Sequence, residues 1–267
     1  MISVQDFFRT ELGLRIVSAI VLLIIILSFS WLGGPWFAIL CLLISVALYY
    51  EWQSIVRQSA FDAVEVVLTL GFAALLIAGL SGYLIAGLVG FLLLGLVLEI
   101  WSTGVEKSDV RWIGLGALYC AIPAIAFPLI REEAGFGILM LLFLVVWATD
   151  IGGYFVGRAF GGAKLLPAVS PKKTWSGAIG GLACAVVVGL IFSYFYQPVT
   201  TGTAILSAVV LSVFSQIGDL FESWVKRLFG RKDSSQMIPG HGGFLDRVDG
   251  LVAAAVPVAF VVAVSGV

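Results

Sequence analysis

The chain has little charge and almost no histidine. Only 12% of its 267 residues are Asp, Glu, Lys or Arg, and His241 is the single histidine. Cys41, Cys120 and Cys184 lie singly inside apolar runs, so neither a disulfide framework nor a Cys/His zinc site is expected. They read as small apolar fillers. No run alternates apolar and polar residues with period two, which excludes the strands of an outer-membrane barrel. No small-x-small cleavage site follows Ser30, so the first apolar run, behind Arg9 and Arg15, reads as a retained helix and not as a secretory signal.

What is abundant is apolar surface. Hydrophobic residues make up 61% of the chain and mean hydropathy is +1.11, far outside soluble composition. Apolar runs cover 14–30, 35–50, 64–80, 82–101, 112–130, 136–157, 177–196, 203–225 and 250–267. In lipid, backbone polar groups must be bonded within their own segment, so these runs are expected to be helices. The expected fold is all-α, a polytopic helical membrane protein with about nine transmembrane helices. Several runs only approach the ~20 residues that a ~30 Å hydrocarbon core requires, so their ends must draw on interfacial Trp and Tyr. With nine spans and the N-terminus inside, Arg131 is the only one of 15 basic residues on the outer side. That asymmetry predicts an N-in, C-out topology. The net charge of −1 carries little information about partners, and none is expected among nucleic acids.

Two regions of unequal chemistry are expected: residues 1–130 as a transmembrane scaffold of about five helices, and 131–267 as a catalytic region with longer cytoplasmic loops. In the first, Glu51, Glu65 and Glu99 read as solvated span ends. In the second, polar residues enter the spans themselves. Ser212, Ser215, Gln216, Asp219, Glu222, Ser223 and Lys226 recur at three- and four-residue steps on one side of a helix. A helix–helix hydrogen-bond seam would explain the serines. Two carboxylates and a lysine point instead to a site, because ionisable groups are expensive in a membrane. Asp150, Tyr154 and Arg158 share another helix face, where Gly153 and Gly157 permit close packing. Asp150 serves either that site or a structural ion pair with Arg158 or Lys173. Lys172 and Lys173 follow Pro167 and Pro171 in a loop just before a helix N-terminus, a place that suits an anion and equally satisfies the positive-inside rule.

Asp246 and Asp249 stand three residues apart at the start of the last span, and Asp219 lies in the span before it. Such carboxylates suit a hard divalent cation such as Mg²⁺, whose shell is completed by water and substrate phosphates. Lys226, Arg227, Lys232 and Arg247 supply opposing positive charge, with the arginines able to grip phosphate bidentately. A metal among cations implies a polyphosphate substrate. His241, in PGHGG, could transfer a proton, donate to phosphate or pack the loop.

The run from Ser223 through Val225-Lys226-Arg227, Lys232-Asp233, Ser235, Ile238-Pro239 and His241-Gly242-Gly243-Phe244 to Asp246-Arg247-Val248-Asp249 resembles the signature of the phosphatidate cytidylyltransferase (CDP-diacylglycerol synthase) family. GDLFESWVKR and SPKKTWSGAIGG are similar to the family as well, so the resemblance covers residues 147–250. The chain departs from the pattern at Ser176, where the family usually has Glu or Gln, and at Ile151-Gly152. The resemblance implies attack of phosphatidate on the α-phosphorus of CTP, giving CDP-diacylglycerol and pyrophosphate. It implies a metal on Asp219 and Asp246 with Asp249 close, Mg²⁺ being the expected ion and K⁺ a candidate second cation. Lys226, Arg227, Lys232, His241 and Arg247 are assigned to the CTP phosphates or their leaving group, with Lys172 and Lys173 as second candidates and Ser223, Asp233, Gly242 and Gly243 among the substrate-binding residues. Arg158 and Tyr154 are assigned to the lipid phosphate. The implied setting is the bacterial inner (cytoplasmic) membrane, with the site facing the cytoplasm and the chain a homodimer. Two alternatives remain at this stage: a CTP-dependent polyprenol kinase, and a cation-coupled transporter, against which stand the long basic loop and the lack of an inverted repeat.

Overall fold

A computed structural model describes residues 11–57, 63–80, 90, 93, 109–235, 237–238 and 242–265. Its helices are α1 (Glu11–Leu32), α2 (Gly34–Arg57), α3 (Ala63–Leu80), α4 (Asp109–Leu129), α5 (Gly135–Phe160), α6 (Trp175–Phe195), α7 (Thr201–Leu228) and α8 (Leu245–Ser265). Every expected apolar run falls on one of them except 82–101, which apart from residues 90 and 93 lies outside the described residues, as do Glu99 and the side chain of Glu65. Among the described residues, six helical segments are long and apolar enough to cross a membrane, one of them the continuous stretch Arg111–Phe160. The chain is an integral membrane protein of the helical class.

Local chemistry explains where the helices stop. Gly33 and Gly34 both take positive φ, 65° and 53°, a region that residues with a Cβ enter only at a cost, and so α1 turns into α2. Between α4 and α5 a single π-turn, Ile130–Ala134, carries Arg131, Glu132 and Glu133. At the head of α6, the Thr174 hydroxyl accepts a hydrogen bond from the Gly177 N–H at 3.1 Å, an N-cap.

The stretch read as a Pro-containing loop before α6 is instead a short antiparallel hairpin. β1 (Lys164–Leu166) pairs with β2 (Ser170–Thr174), Lys164 opposite Thr174 and Leu166 opposite Ser170. Strands of 3 and 5 residues are too short to display an alternating pattern, so periodicity gave no signal.

The described chain divides into two compact units. One comprises Met1–Ile125 with Phe229–Asp246, the other Ala126–Leu228 with Arg247–Val267. In the first, α2 buries Leu48, Tyr49, Trp52 and Ile55. Tyr49 stacks on Phe72 of α3 with ring centroids 4.3 Å apart. The Trp52 indole N–H donates to the Trp112 carbonyl at 2.8 Å, so a bulky aromatic is buried with its polar atom satisfied.

In the second unit, α5 and α6 cross on glycine. A Cβ on Gly177 would stand 2.8 Å from the Gly153 carbonyl oxygen, and one on Gly181 would stand 2.6 Å from the Thr149 carbonyl oxygen. The expected close packing at Gly153 and Gly157 is therefore present, and the approach is backbone to backbone, the contact that drives helix association where no hydrophobic effect operates. Backbone cannot swing aside as a side chain can. Gly181→Val is accordingly expected to destabilise the protein by about 1–3 kcal/mol, read as a lower melting temperature in detergent. An unchanged melting temperature would mean that the two helices part without loss.

Candidate active site

The polar stripe of α7 faces the interior of its unit. Ser212, Ser215, Glu222 and Lys226 are buried, and Ser223 is half-buried. The Gln216 amide donates to the Ala178 carbonyl of α6 at 3.3 Å, so part of the stripe is the helix–helix seam that the serines suggested. Lys226 and Glu222 form a buried ion pair at 2.7 Å, one turn apart.

Further along the same face, Asp219 pairs with Lys173 of β2. The hairpin thus delivers Lys173 to α7, and the lysine just before a helix is used as a counter-ion. Lys172, its neighbour, is exposed. Where α7 meets α8, a Cβ on Gly218 would lie 2.6 Å from the Asp249 carbonyl oxygen, and one on Gly250 would lie 2.7 Å from the Ser215 hydroxyl. Glycine on each helix therefore brings the backbones together beside Asp219 and Asp249. The Asp249 carboxylate takes a hydrogen bond from the Gly250 N–H at 2.8 Å. Asp150 of α5, Asp219 and Asp249 lie within electrostatic reach of one another and of Lys173. Three carboxylates and one lysine leave an excess of negative charge in one place, a setting that a cation relieves.

Asp246 belongs to the other unit, where hydrogen-bond donors of residues 234 and 243 meet it. Its Oδ2 accepts from the Ser234 N–H at 3.1 Å, the Ser234 hydroxyl at 2.9 Å and the Gly243 N–H at 3.1 Å. The loop is closed by a bridge in which the Ile238 N–H donates to the Gly242 carbonyl at 2.8 Å. Gly242 adopts φ 86°, and Gly243 is buried with no room for a side chain. Among the described residues, no three His, Cys, Asp or Glu side chains are gathered as a ready-made metal site. Mg²⁺ needs fewer, since one or two carboxylates with water and phosphate complete its shell. Asp219 and Asp249, within electrostatic reach of each other, offer oxygen donors of the kind that Mg²⁺ takes.

The remaining expected residues are placed as follows. Arg227, Lys232, Asp233 and Arg247 are exposed. Arg158 donates to the Tyr154 hydroxyl at 2.9 Å, one turn apart on an exposed face of α5. His241 lies outside the described residues. Ser176, where the resemblance is broken, makes a 2.5 Å hydrogen bond to the Gly161 carbonyl and lies 3.0 Å from the Thr174 hydroxyl. It ties the end of α5 to the start of α6 in place of a longer polar side chain.

One reading is corrected. Glu51 is not a solvated span end: it is 0% exposed and accepts four hydrogen bonds from residues 234–245. Position near a span end indicated exposure, but loop donors distant in sequence converge on it. The available signal was its setting in YYEWQS, a carboxylate among aromatic residues well before the end of α2. Asp150, weighed between two roles, stands with Asp219, Asp249 and Lys173.

The chain is 47% identical over 257 residues to a phosphatidate cytidylyltransferase of Brucella suis, covering 92% of this chain and 91% of that protein. A protein of the same name from Haemophilus influenzae is 52% identical over 126 residues, 45% of this chain and 43% of that one. One from Staphylococcus haemolyticus is 42% identical over 142 residues, 53% and 52% of the two chains. A family model described as the cytidylyltransferase family matches residues 13–265, and with nearly the whole sequence so matched, the chain belongs to that family of nucleotidyl-transferring enzymes.

Proposed function

We propose that this chain is a phosphatidate cytidylyltransferase, moving CMP from CTP to phosphatidate in phospholipid biosynthesis. The observation that carries the reading is the unbroken signature from Ser223 to Asp249, in a chain 47% identical over 92% of its length to a protein bearing that name. A phosphatidate oxygen attacks the α-phosphorus of CTP, a P–O bond forms there, the α–β P–O bond breaks, and pyrophosphate departs. The nucleophile is already an oxyanion, so no side chain need remove a proton. The obstacle is electrostatic: two anions must meet while charge grows on the leaving group.

Asp219, Asp246 and Asp249 would hold Mg²⁺, with K⁺ as a candidate second cation. When bound, Mg²⁺ supplies Lewis-acid neutralisation of phosphate charge. The chain's own part is to bind and orient. Lys226, Arg227, Lys232, His241 and Arg247 take the CTP phosphates, with Asp233, Gly242 and Gly243 from the loop and Ser223 from α7 also binding substrate. Lys172 and Lys173 are second candidates for the same phosphates, Lys173 also balancing Asp219. Arg158 and Tyr154, hydrogen-bonded to each other on an exposed face, take the lipid phosphate. Residues 1–130 act as scaffold and 131–267 as the catalytic region. Nine spans, N-in and C-out in the bacterial inner membrane, put the site on the cytoplasmic side, where CTP is available, in a homodimer.

Labelled CTP tests the reaction. Purified protein in mixed micelles is expected to move α-phosphate label into lipid only when phosphatidate is present, and to leave γ-label in pyrophosphate. Transfer of γ-label to lipid, with no α-label there, would identify a kinase and overturn the proposal.

A further inference from the structure

Glu51 is the only acidic residue of α2, and both of its oxygens are fully employed. Oε1 accepts from the Ser235 hydroxyl at 2.5 Å and the Phe244 N–H at 2.9 Å. Oε2 accepts from the Ser234 hydroxyl at 3.1 Å and the Leu245 N–H at 2.7 Å. The two N–H groups stand at the start of α8, where a negative charge is favoured by the helix dipole. All four donors come from residues 183 to 194 positions away along the chain. A buried carboxylate is tolerable only when its oxygens are satisfied, and this one is satisfied entirely by a single loop. The Ser234 hydroxyl also lies 2.9 Å from Asp246 Oδ2. It carries one proton, which serves one carboxylate at a time, so Glu51 and Asp246 are alternative acceptors of the same hydroxyl and its position couples them.

We propose that Glu51 is a positioning residue for the active site: it clamps the loop Ser234–Leu245 and, through Ser234, sets the carboxylate of Asp246. The inference rests on the reading of Asp246 as a metal ligand. It explains why a carboxylate is needed and an amide is not enough. Each oxygen of Glu51 faces one serine hydroxyl and one backbone N–H. In Glu51→Gln, whichever way the amide is turned, its NH₂ faces a serine that can rotate to accept and a backbone N–H that cannot. One N–H at the head of α8 therefore loses its acceptor and meets a donor. The loop must shift, and Asp246 shifts with it.

The test uses the full-length protein, purified in detergent, with Mn²⁺ as an oxygen-preferring probe read by electron paramagnetic resonance in the absence of CTP. Glu51→Gln is expected to weaken Mn²⁺ binding by about 10- to 100-fold, the usual effect of removing a group that orients a metal ligand. Ser234→Ala keeps the bonds from Phe244 and Leu245 to Glu51 but removes the link to Asp246; it is expected to weaken Mn²⁺ in the same direction, and carries the test if Glu51→Gln does not fold. Asp246→Asn is the control and should lose the Mn²⁺ signal. A lower melting temperature in Glu51→Gln with Mn²⁺ affinity unchanged there and in Ser234→Ala, beside an Asp246→Asn protein that has lost the ion, means a merely structural role and overturns this inference alone. Wild-type Mn²⁺ affinity in Asp246→Asn overturns the metal reading itself.

Discussion

Asp219→Asn is expected to lower turnover by roughly 10³-fold while the protein remains folded in the membrane. The size follows from the charge problem: a bound metal supplies several kcal/mol of transition-state stabilisation, and each ~1.4 kcal/mol is tenfold in rate. Asparagine keeps the volume of the side chain and loses its charge. Folding should survive because the Lys173–Asp219 pair is partly open to solvent, with side chains 26% and 35% exposed, and such pairs contribute only about 0–1 kcal/mol. A steady-state assay with detergent-solubilised protein, alongside a melting curve, reads both quantities. Full activity in the purified variant would remove Asp219 from the metal set.

Gly243→Ala is expected to cost roughly 100-fold in turnover, although it adds only a methyl group. A Cβ at Gly243 would collide with the Ser234 hydroxyl and stand 2.7 Å from both Glu51 oxygens. Ser234, Glu51 and the Gly243 N–H all belong to the network that holds Asp246. Relieving the collision must lengthen hydrogen bonds to charged groups, each contributing about 1.5–3 kcal/mol. A displacement of about 1 Å in a positioning network is enough for a loss of that order. The neighbouring glycine is required for a different reason. Gly242 sits at φ 86° with its would-be Cβ no closer than 3.2 Å to Asp246 Oδ2, so Gly242→Ala costs mainly the ~1–2 kcal/mol of a left-handed conformation. Wild-type turnover in Gly243→Ala would show that the loop adapts without moving Asp246.

The location of the membrane segments was legible in the sequence because hydropathy is a local sum over some 20 residues. The helices α1 to α8 all fall on runs that composition alone marks. The segment Ser223–Asp249 was legible too, since charges concentrated in an apolar chain stand out, and its signature points to the family to which the whole chain belongs. Helical spacing placed Asp219 and Lys226 on one interior face of α7.

What the sequence could not decide depends on residues far apart in the chain. Lys173 read equally as a topology signal and as an anion site; the hairpin β1–β2 makes it the partner of Asp219. Glu51 read as a solvated end, because the donors that bury it enter from residues 234–245. Hydropathy and periodicity report which side of a helix prefers protein or lipid, but the cost of burying one carboxylate is set by the hydrogen bonds that reach it. The sequence by itself determined a helical membrane protein and the segment whose signature points to its family. Only the tertiary structure decided which buried carboxylate holds that segment in place, since that depends on donors the chain supplies 183 to 194 residues later.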